Sequence, residues 1–147
     1  MYKRILVAVE NSAADATILQ HVEPLAQLTG ARLLIVHVAD GFAARHFDDL
    51  QLRESEEMHE DRAYLARLRD ELSGRGLQVD TLLAAGDPAT ELVRVAGEQQ
   101  VDLIAMATHG HRFLNDLIHG TTVDRLRHLV KVPVLLLRAH GDGSSPR

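Results

Sequence analysis

The stretch Leu103–His128, LIAMATHGHRFLNDLIHGTTVDRLRH, joins an apolar run to a glycine-bearing segment and then to a helix-like repeat. Leu103-Ile-Ala-Met is short and apolar throughout, as in a strand covered on both faces, and the strand is read over Val101–Ala107. Gly110 and, ten residues later, Gly120 precede Thr121-Thr122, after which Val123, Leu126 and Val130 take up helical spacing over Thr121–Val130. A chain that leaves a buried strand through a flexible turn and re-enters order at Gly-Thr-Thr does so for one of two reasons. Either the loop only needs to bend, or it exposes backbone N–H groups to an anion.

Working outward, four more β-branched or apolar runs alternate with helical patterns: Lys3–Val9, Arg32–Val38, Gln78–Ala85 and Val132–Leu137. Ile5-Leu-Val-Ala-Val and Leu33-Leu-Ile-Val are near-continuous, which suits strands buried on both sides. Between the first two, Ile18, Val22, Leu25 and Leu28 form an apolar stripe behind Ser12 as N-cap, and Pro24 is expected to kink that helix. Leu50–Arg75 is the longest helical segment, with Leu65, Leu68 and Leu72 on one side, and Asp40–Asp49 ahead of it reads as a loop able to fold over a site. Asp87-Pro88 is an N-cap followed by proline at the first helical position, opening a helix over Ala89–Ala96. Strict alternation of strand and helix implies a single-domain α/β fold with an open parallel sheet and helices on both faces. Ligands of such sheets sit beyond the carboxyl ends of the strands, where strand order reverses. Glu10-Asn11-Ser12 and His109-Gly110 stand at two such ends.

Composition narrows the function. The 147 residues suit one domain, 46% hydrophobic and 25% charged. Only 3% are aromatic and the formal net charge is −5, so neither base stacking nor a basic field favours a nucleic-acid partner. Without cysteine there is no disulfide, thiolate nucleophile or Cys-based zinc site. The apolar run after Met1 stops at Glu10, too soon for a signal-peptide core, and nothing approaches the length of a membrane span. The expected location is the cytoplasm, and the segment from Ala139 onward is expected to be a disordered tail.

The stretches YKRILVAVENS, LLIVHVAD, AAGDPATELV, DLIAMATHG and HGTTVDRLRHLVKVPVLLL together resemble the universal stress protein (UspA-type) family over nearly the whole chain, residues 1–138. The resemblance implies a five-stranded parallel sheet in the order 3-2-1-4-5, Rossmann-like and of the adenine nucleotide α-hydrolase-like type, with strands one and four flanking the switch point. It is nearest to the ATP-binding members, whose pattern is Gly, two residues, Gly, nine residues, then Gly with Ser or Thr. Gly110 and Gly120-Thr121 keep that spacing, while Ala107 replaces the first glycine and Glu10 replaces the Asp usual at the end of strand one.

The resemblance therefore implies an adenine-nucleotide site, taking ATP or AMP/ADP, formed by Ala8, Val9, Glu10, Val38, Met106, Ala107, His109, Gly110, Gly120, Thr121 and Thr122. The chemistry of these residues agrees. Gly110 and Gly120 let backbone approach phosphate oxygens without an intervening Cβ, and Thr121 and Thr122 add hydroxyls at a helix N-terminus. Glu10 can accept from a ribose hydroxyl or hold Mg²⁺ through water. Val38 and Met106 would flank the adenine, although both are equally explained as core. His109 can donate to a phosphate. No Gly-Lys-Ser/Thr follows, so this is not a Walker A loop.

Other constellations carry less. His109, His111 and His119 invite a metal reading, but no set of four ligands with zinc spacing accompanies them. His37, on a central strand, reads as a hydrogen-bonded core histidine. Asp15 and Asp124 lie early in helices, where a carboxylate suits the dipole. No catalytic residue is signalled and there is no P-loop lysine for phosphoryl transfer. The expected function is a regulatory stress-response protein that binds ATP at the switch point. The alternatives are a nucleotide-free dimeric interaction module of the same fold, and a slow ATPase or phosphotransferase. The fifth strand would be a sheet edge, with Pro133 tolerated there, and the resemblance implies a homodimer through Val132–Leu137.

Overall fold

In the computed structural model, residues 1–40, 47–108 and 121–139 are described, with side chains for 1–39, 56–108 and 122–139. At the centre of the sheet lies β1 (Arg4–Val9), a hexapeptide in which Ile5, Leu6 and Val7 are all fully buried. It pairs in parallel with β2 (Arg32–Asp40), from Arg4 opposite Arg32 to Val9 opposite His37. On its other side it pairs with β4 (Leu103–Thr108), from Ile5 opposite Leu103 to Ala8 opposite Met106. β3 (Val79–Gly86) adds to β2 and β5 (Val134–Arg138) adds to β4, giving the order β3-β2-β1-β4-β5. The chain thus winds one way from β1 to β3 and the other way from β4 to β5, and the reversal falls between β1 and β4.

Each face of the sheet is sealed by two helices. α1 (Ala14–Thr29) and α2 (Phe47–Gly74) cover one face, where Ile18, Val22 and Ala26 meet Leu65, Leu68 and Leu72 over Ile5, Val7 and Ile35. α3 (Pro88–Glu98) and α4 (Thr121–Leu129) cover the other, where Leu92, Val95 and Leu126 pack on Leu6, Leu34, Val36 and Ile104. The period of two along each strand does the sorting: Val7 and Val9 go to one layer, Leu6 and Ala8 to the other. Burying one such aliphatic side chain contributes about 1.5–3 kcal/mol before chain entropy is subtracted.

Several boundaries and stripes differ from the sequence expectation. α1 contains Pro24, as expected, but its N-cap is Ala13 rather than Ser12. The Ser12 hydroxyl instead accepts from the Ala14 N–H at 3.2 Å. Leu28 is 84% exposed, not buried, because at roughly 100° per residue it lies about 80° round the helix from Ile18. β5 begins two residues later than expected, so Val132 and Pro133 precede it, and the Pro133 carbonyl accepts from Ile104 N–H at 3.0 Å. Asp40 ends β2 and Phe47 already belongs to α2, so the expected loop is shorter than Asp40–Asp49, and 41–46 lie outside the described residues. Ala139 is buried and its N–H meets the Thr108 carbonyl at 2.7 Å, which ties it to the fold; 140–147 are outside the described residues.

The turn into α3 is built as its sequence suggests. Gly86 holds φ at 135°, a region that L side chains avoid, and Asp87 then caps the helix by accepting from Thr90 N–H at 2.9 Å. The same Asp87 oxygen meets Arg125 Nη1 of α4 at 2.8 Å, so one carboxylate fastens α3 to α4. Hydrogen bonds from the Thr90 backbone and hydroxyl, then Arg125, hold the Asp87 carboxyl below its ordinary value of 3.8. A lowered folded value means that this stabilisation is complete above the unfolded value and fades as pH falls through the folded one. Asp87→Ala should cost about 1–2 kcal/mol at neutral pH in chemical denaturation. The gap to the parent should close as pH falls below 3.8; a gap that widened in acid would contradict the assignment.

Candidate functional site

Where β1 and β4 part, their carboxyl ends open into a cavity of about 270 Å³. That is near the lower end of small-molecule sites, which run to roughly 300–1,000 Å³. Of the residues expected here, Ala8, Val9 and Glu10 line it from β1, Val38 from β2, Met106 and Ala107 from β4, and Thr122 from the first turn of α4. Thr121 opens α4, and its side chain is outside the described residues, as are His109, Gly110 and Gly120 with His111 and His119.

Four lining residues escaped the sequence reading: Val36, His37, Pro88 and Leu92. Their signals were present. Val36 is two residues from Val38 and so faces the same way from β2. Pro88 and Leu92 are four apart on α3 and share a face, which the helix returns over the strand ends. A second depression, of about 340 Å³, lies at the opposite end of the molecule between Val93, Ala96, Val101, Leu129 and Val132. It is the larger, but it opens at the amino ends of β4 and β5, away from the strand ends where ligands of such sheets bind.

Ala107 has a specific placement. Its side chain packs against the core layer of α1 and α2, while Met106 belongs to the layer beneath α3 and α4. The alternation that sends Met106 toward Val38 sends the Ala107 methyl into the other layer.

The β1–α1 turn that carries Glu10 is held by one buried carboxylate. Asp15, 3% exposed, accepts from three successive backbone N–H groups: Glu10 at 2.9 Å, Asn11 at 2.8 Å and Ser12 at 3.2 Å. Such a concave run of amides suits an anion, and here the protein supplies its own. Asn11 has φ 64°, the left-handed conformation that asparagine tolerates better than most, and this aims the amides at one point. Asp15 was expected only to complement the helix dipole; its main work is to hold the turn that precedes its own helix. The Glu10 carboxylate, at the rim, accepts from the Ser12 hydroxyl at 3.1 Å.

From α2, Tyr64 donates its hydroxyl to Asp15, and Asp61 reaches both Asn11 Nδ2 at 3.3 Å and His37 Nε2 at 3.2 Å. His37, 13% exposed at its side chain, is the hydrogen-bonded histidine expected, with Nδ1 2.9 Å from the Val9 carbonyl. Among the described residues no group of three or more His, Asp or Glu side chains is placed to hold a metal ion, and no helix is long and apolar enough to cross a membrane.

The profile of the universal stress protein family matches residues 1–138. The chain belongs to that family. A Thermus aquaticus relative, "Universal stress protein in QAH/OAS sulfhydrylase 3'region", is 31% identical over 143 residues, covering 94% of this chain and 100% of its own. The solved structure of MJ0577, a universal stress protein of Methanocaldococcus jannaschii, superposes with a TM-score of 0.80 at 24% identity over 95% of this chain and 98% of that one. A universal stress protein in complex with cAMP gives a TM-score of 0.69 at 18% identity, over 95% and 98% of the two chains. The Archaeoglobus fulgidus protein in complex with dAMP gives 0.66 at 21%, over 92% and 97%. These structures share their fold with the present chain.

The Tyr64–Asp15 contact is open to a direct test. Burial, and then the hydrogen bond to Asp15, raise the Tyr64 pKa far above its ordinary 10.0. A raised folded value means stability that is complete below the unfolded value and lost as pH climbs above it. Tyr64→Phe should lower stability by about 1–2 kcal/mol at neutral pH. Ultraviolet titration of the folded parent should show one of its two tyrosines, Tyr64, ionising only with unfolding. Two ordinary tyrosine titrations would contradict the contact.

Proposed function

We propose that this universal stress protein is a cytoplasmic regulatory protein that binds an adenine nucleotide, ATP in the first place, in the cavity between the carboxyl ends of β1 and β4. The observation that carries the reading is the composition of that cavity. Val38 and Met106 supply aliphatic wall from the sheet, as a flat base requires, while Glu10 and Thr122 add oxygens to the lining. α4 begins at Thr121, so the N–H groups of its first turn, which have no acceptor within the helix, and its positive dipole end lie beside Thr122, where a phosphate would be stabilised. The family's cAMP and dAMP complexes support the adenine nucleotide as ligand class. ATP rather than a monophosphate is supported by the spacing of Gly110 and Gly120-Thr121. Glu10 takes the ribose hydroxyls, and any Mg²⁺ that accompanies the phosphates meets it only through water. Binding, not hydrolysis, is the output, with occupancy altering which partner the protein engages.

Titration calorimetry with ATP tests the site. Because the Ala107 methyl packs into the α1/α2 layer, the parent should bind, and Ala107→Gly should tighten binding by less than about tenfold, under about 1.4 kcal/mol. Gly120→Val should abolish binding while the melting curve stays close to the parent's, since the family pattern keeps glycine there so that backbone can approach phosphate without a Cβ. A parent that binds no adenine nucleotide would leave the nucleotide-free interaction module as the function.

The same reading includes a homodimer through β5. That strand is a sheet edge, and Leu136 on it is 37% exposed, an apolar edge of the kind that pairs unless covered. Light scattering at micromolar concentration should give twice the chain mass of 16.2 kDa; a monomer would remove the dimer from the proposal.

A further inference from the structure

The network behind the cavity contains a histidine with two acceptors. The His37 side chain lies on the α1/α2 side of β2, with Nδ1 2.9 Å from the Val9 carbonyl and Nε2 3.2 Å from Asp61 Oδ2. A carbonyl and a carboxylate can only accept, and a neutral imidazole has a single N–H. Only the imidazolium donates to both. The second oxygen of Asp61 accepts from Asn11 Nδ2 at 3.3 Å, and Asn11 is the left-handed residue of the turn that presents Glu10. One α2 carboxylate therefore joins the end of β2 to the middle of the β1–α1 turn.

We propose that His37 and Asp61 are positioning residues for the nucleotide site, and that the proton on His37 sets how firmly the Glu10–Asn11–Ser12 turn is held. This rests on the nucleotide reading above. When the ring loses a proton, one nitrogen turns a lone pair toward an oxygen. If that nitrogen is Nε2, Asp61 is repelled from its place and Asn11 loses its acceptor. If it is Nδ1, β1 loses its tie to the β2 end. Either way the turn loosens, so affinity is greatest with His37 protonated and falls as pH rises. By linkage, bound nucleotide strengthens the hold on that proton by the same factor.

Other titratable groups surround the pair. From β1, Glu10 shares the cavity rim; from α1, Asp15 holds the turn amides; from α2, Tyr64 donates to Asp15. On the far side of β2, the register partner of His37 is the uncharged Leu83 of β3. All four remain in place when Asp61 alone is changed, which makes Asp61→Asn the informative variant. Its amide oxygen accepts from Asn11 while its NH₂ donates to a neutral Nε2, and Nδ1–H still meets Val9. The network then closes without the second proton.

The experiment follows ATP affinity across pH in the full chain, alongside an NMR titration of the His37 ring. Ionisation of ATP itself is common to both proteins and cancels in their ratio. The parent's affinity relative to D61N should fall about fivefold as pH rises through the His37 titration. A constant ratio would overturn the proposal. Should D61N not fold, His37→Asn, whose amide reaches Val9 but not Asp61, takes its place with the same expectation and the same overturning result. If no protein binds ATP at any pH, the nucleotide reading fails separately, and amide protection of Asn11 decides the latch. Protection that falls through the titration in the parent but not in the variant sustains it; equal protection in both ends it.

Discussion

The buried Asp15 carboxylate is the interaction on which the site depends. A turn leaving the central strand must do something with the N–H groups of Glu10, Asn11 and Ser12, which no strand partner can take. Asp15 gathers all three, and does so from inside the helix that the turn introduces. Hydrogen bonds to a buried charge are worth roughly 1.5–3 kcal/mol each, and removing the charge would strand the donors. The direction of β1, the start of α1 and the position of Glu10 are therefore fixed together. α2 completes the arrangement from the same side, through Tyr64 on Asp15 and Asp61 on Asn11.

Two layers divide the labour. The α1/α2 face carries the polar network of Asp15, Tyr64 and Asp61; the α3/α4 face carries the apolar wall of Val36, Val38, Met106 and Leu92. The Asp87–Arg125 bridge across α3 and α4 keeps Pro88 and Thr122, which both line the cavity, at a set separation. The period of two in β4 places the Ala107 methyl in the α1/α2 layer. The family pattern is thus altered at a position where the added carbon does not point toward Val38 and Met106.

Much of this was legible from the sequence, for reasons that can be named. Ile5-Leu-Val-Ala-Val and Leu33-Leu-Ile-Val announce strands because continuous apolar runs have no other stable home in so short a span, and Asp87-Pro88 announces a helix by local chemistry alone. The strand order came from the resemblance to the family, since periodicity does not say which strands are neighbours. What escaped was non-local. Ser12 was the natural N-cap by residue type, but its own N–H is held by Asp15 and the N-cap falls one residue on, at Ala13. Tyr64 and Asp61 lie about fifty residues downstream on a helix whose exposed residues all look alike, and only folding reveals which of them turn inward. Leu28 failed for the opposite reason, an apolar residue well round the helix from the buried stripe, which solvent tolerates.

In the proposed complex an adenine base lies between the ends of β1, β2 and β4, and photolabelling locates it most directly. An 8-azidoadenosine triphosphate analogue, irradiated with the native protein and mapped by peptide mass spectrometry, should mark the β2 segment around Val36–Val38 or the β4 segment around Met106, with excess ATP abolishing the label. Labelling confined to the depression beside Leu129 and Val132, or labelling that ATP does not compete, would contradict that placement.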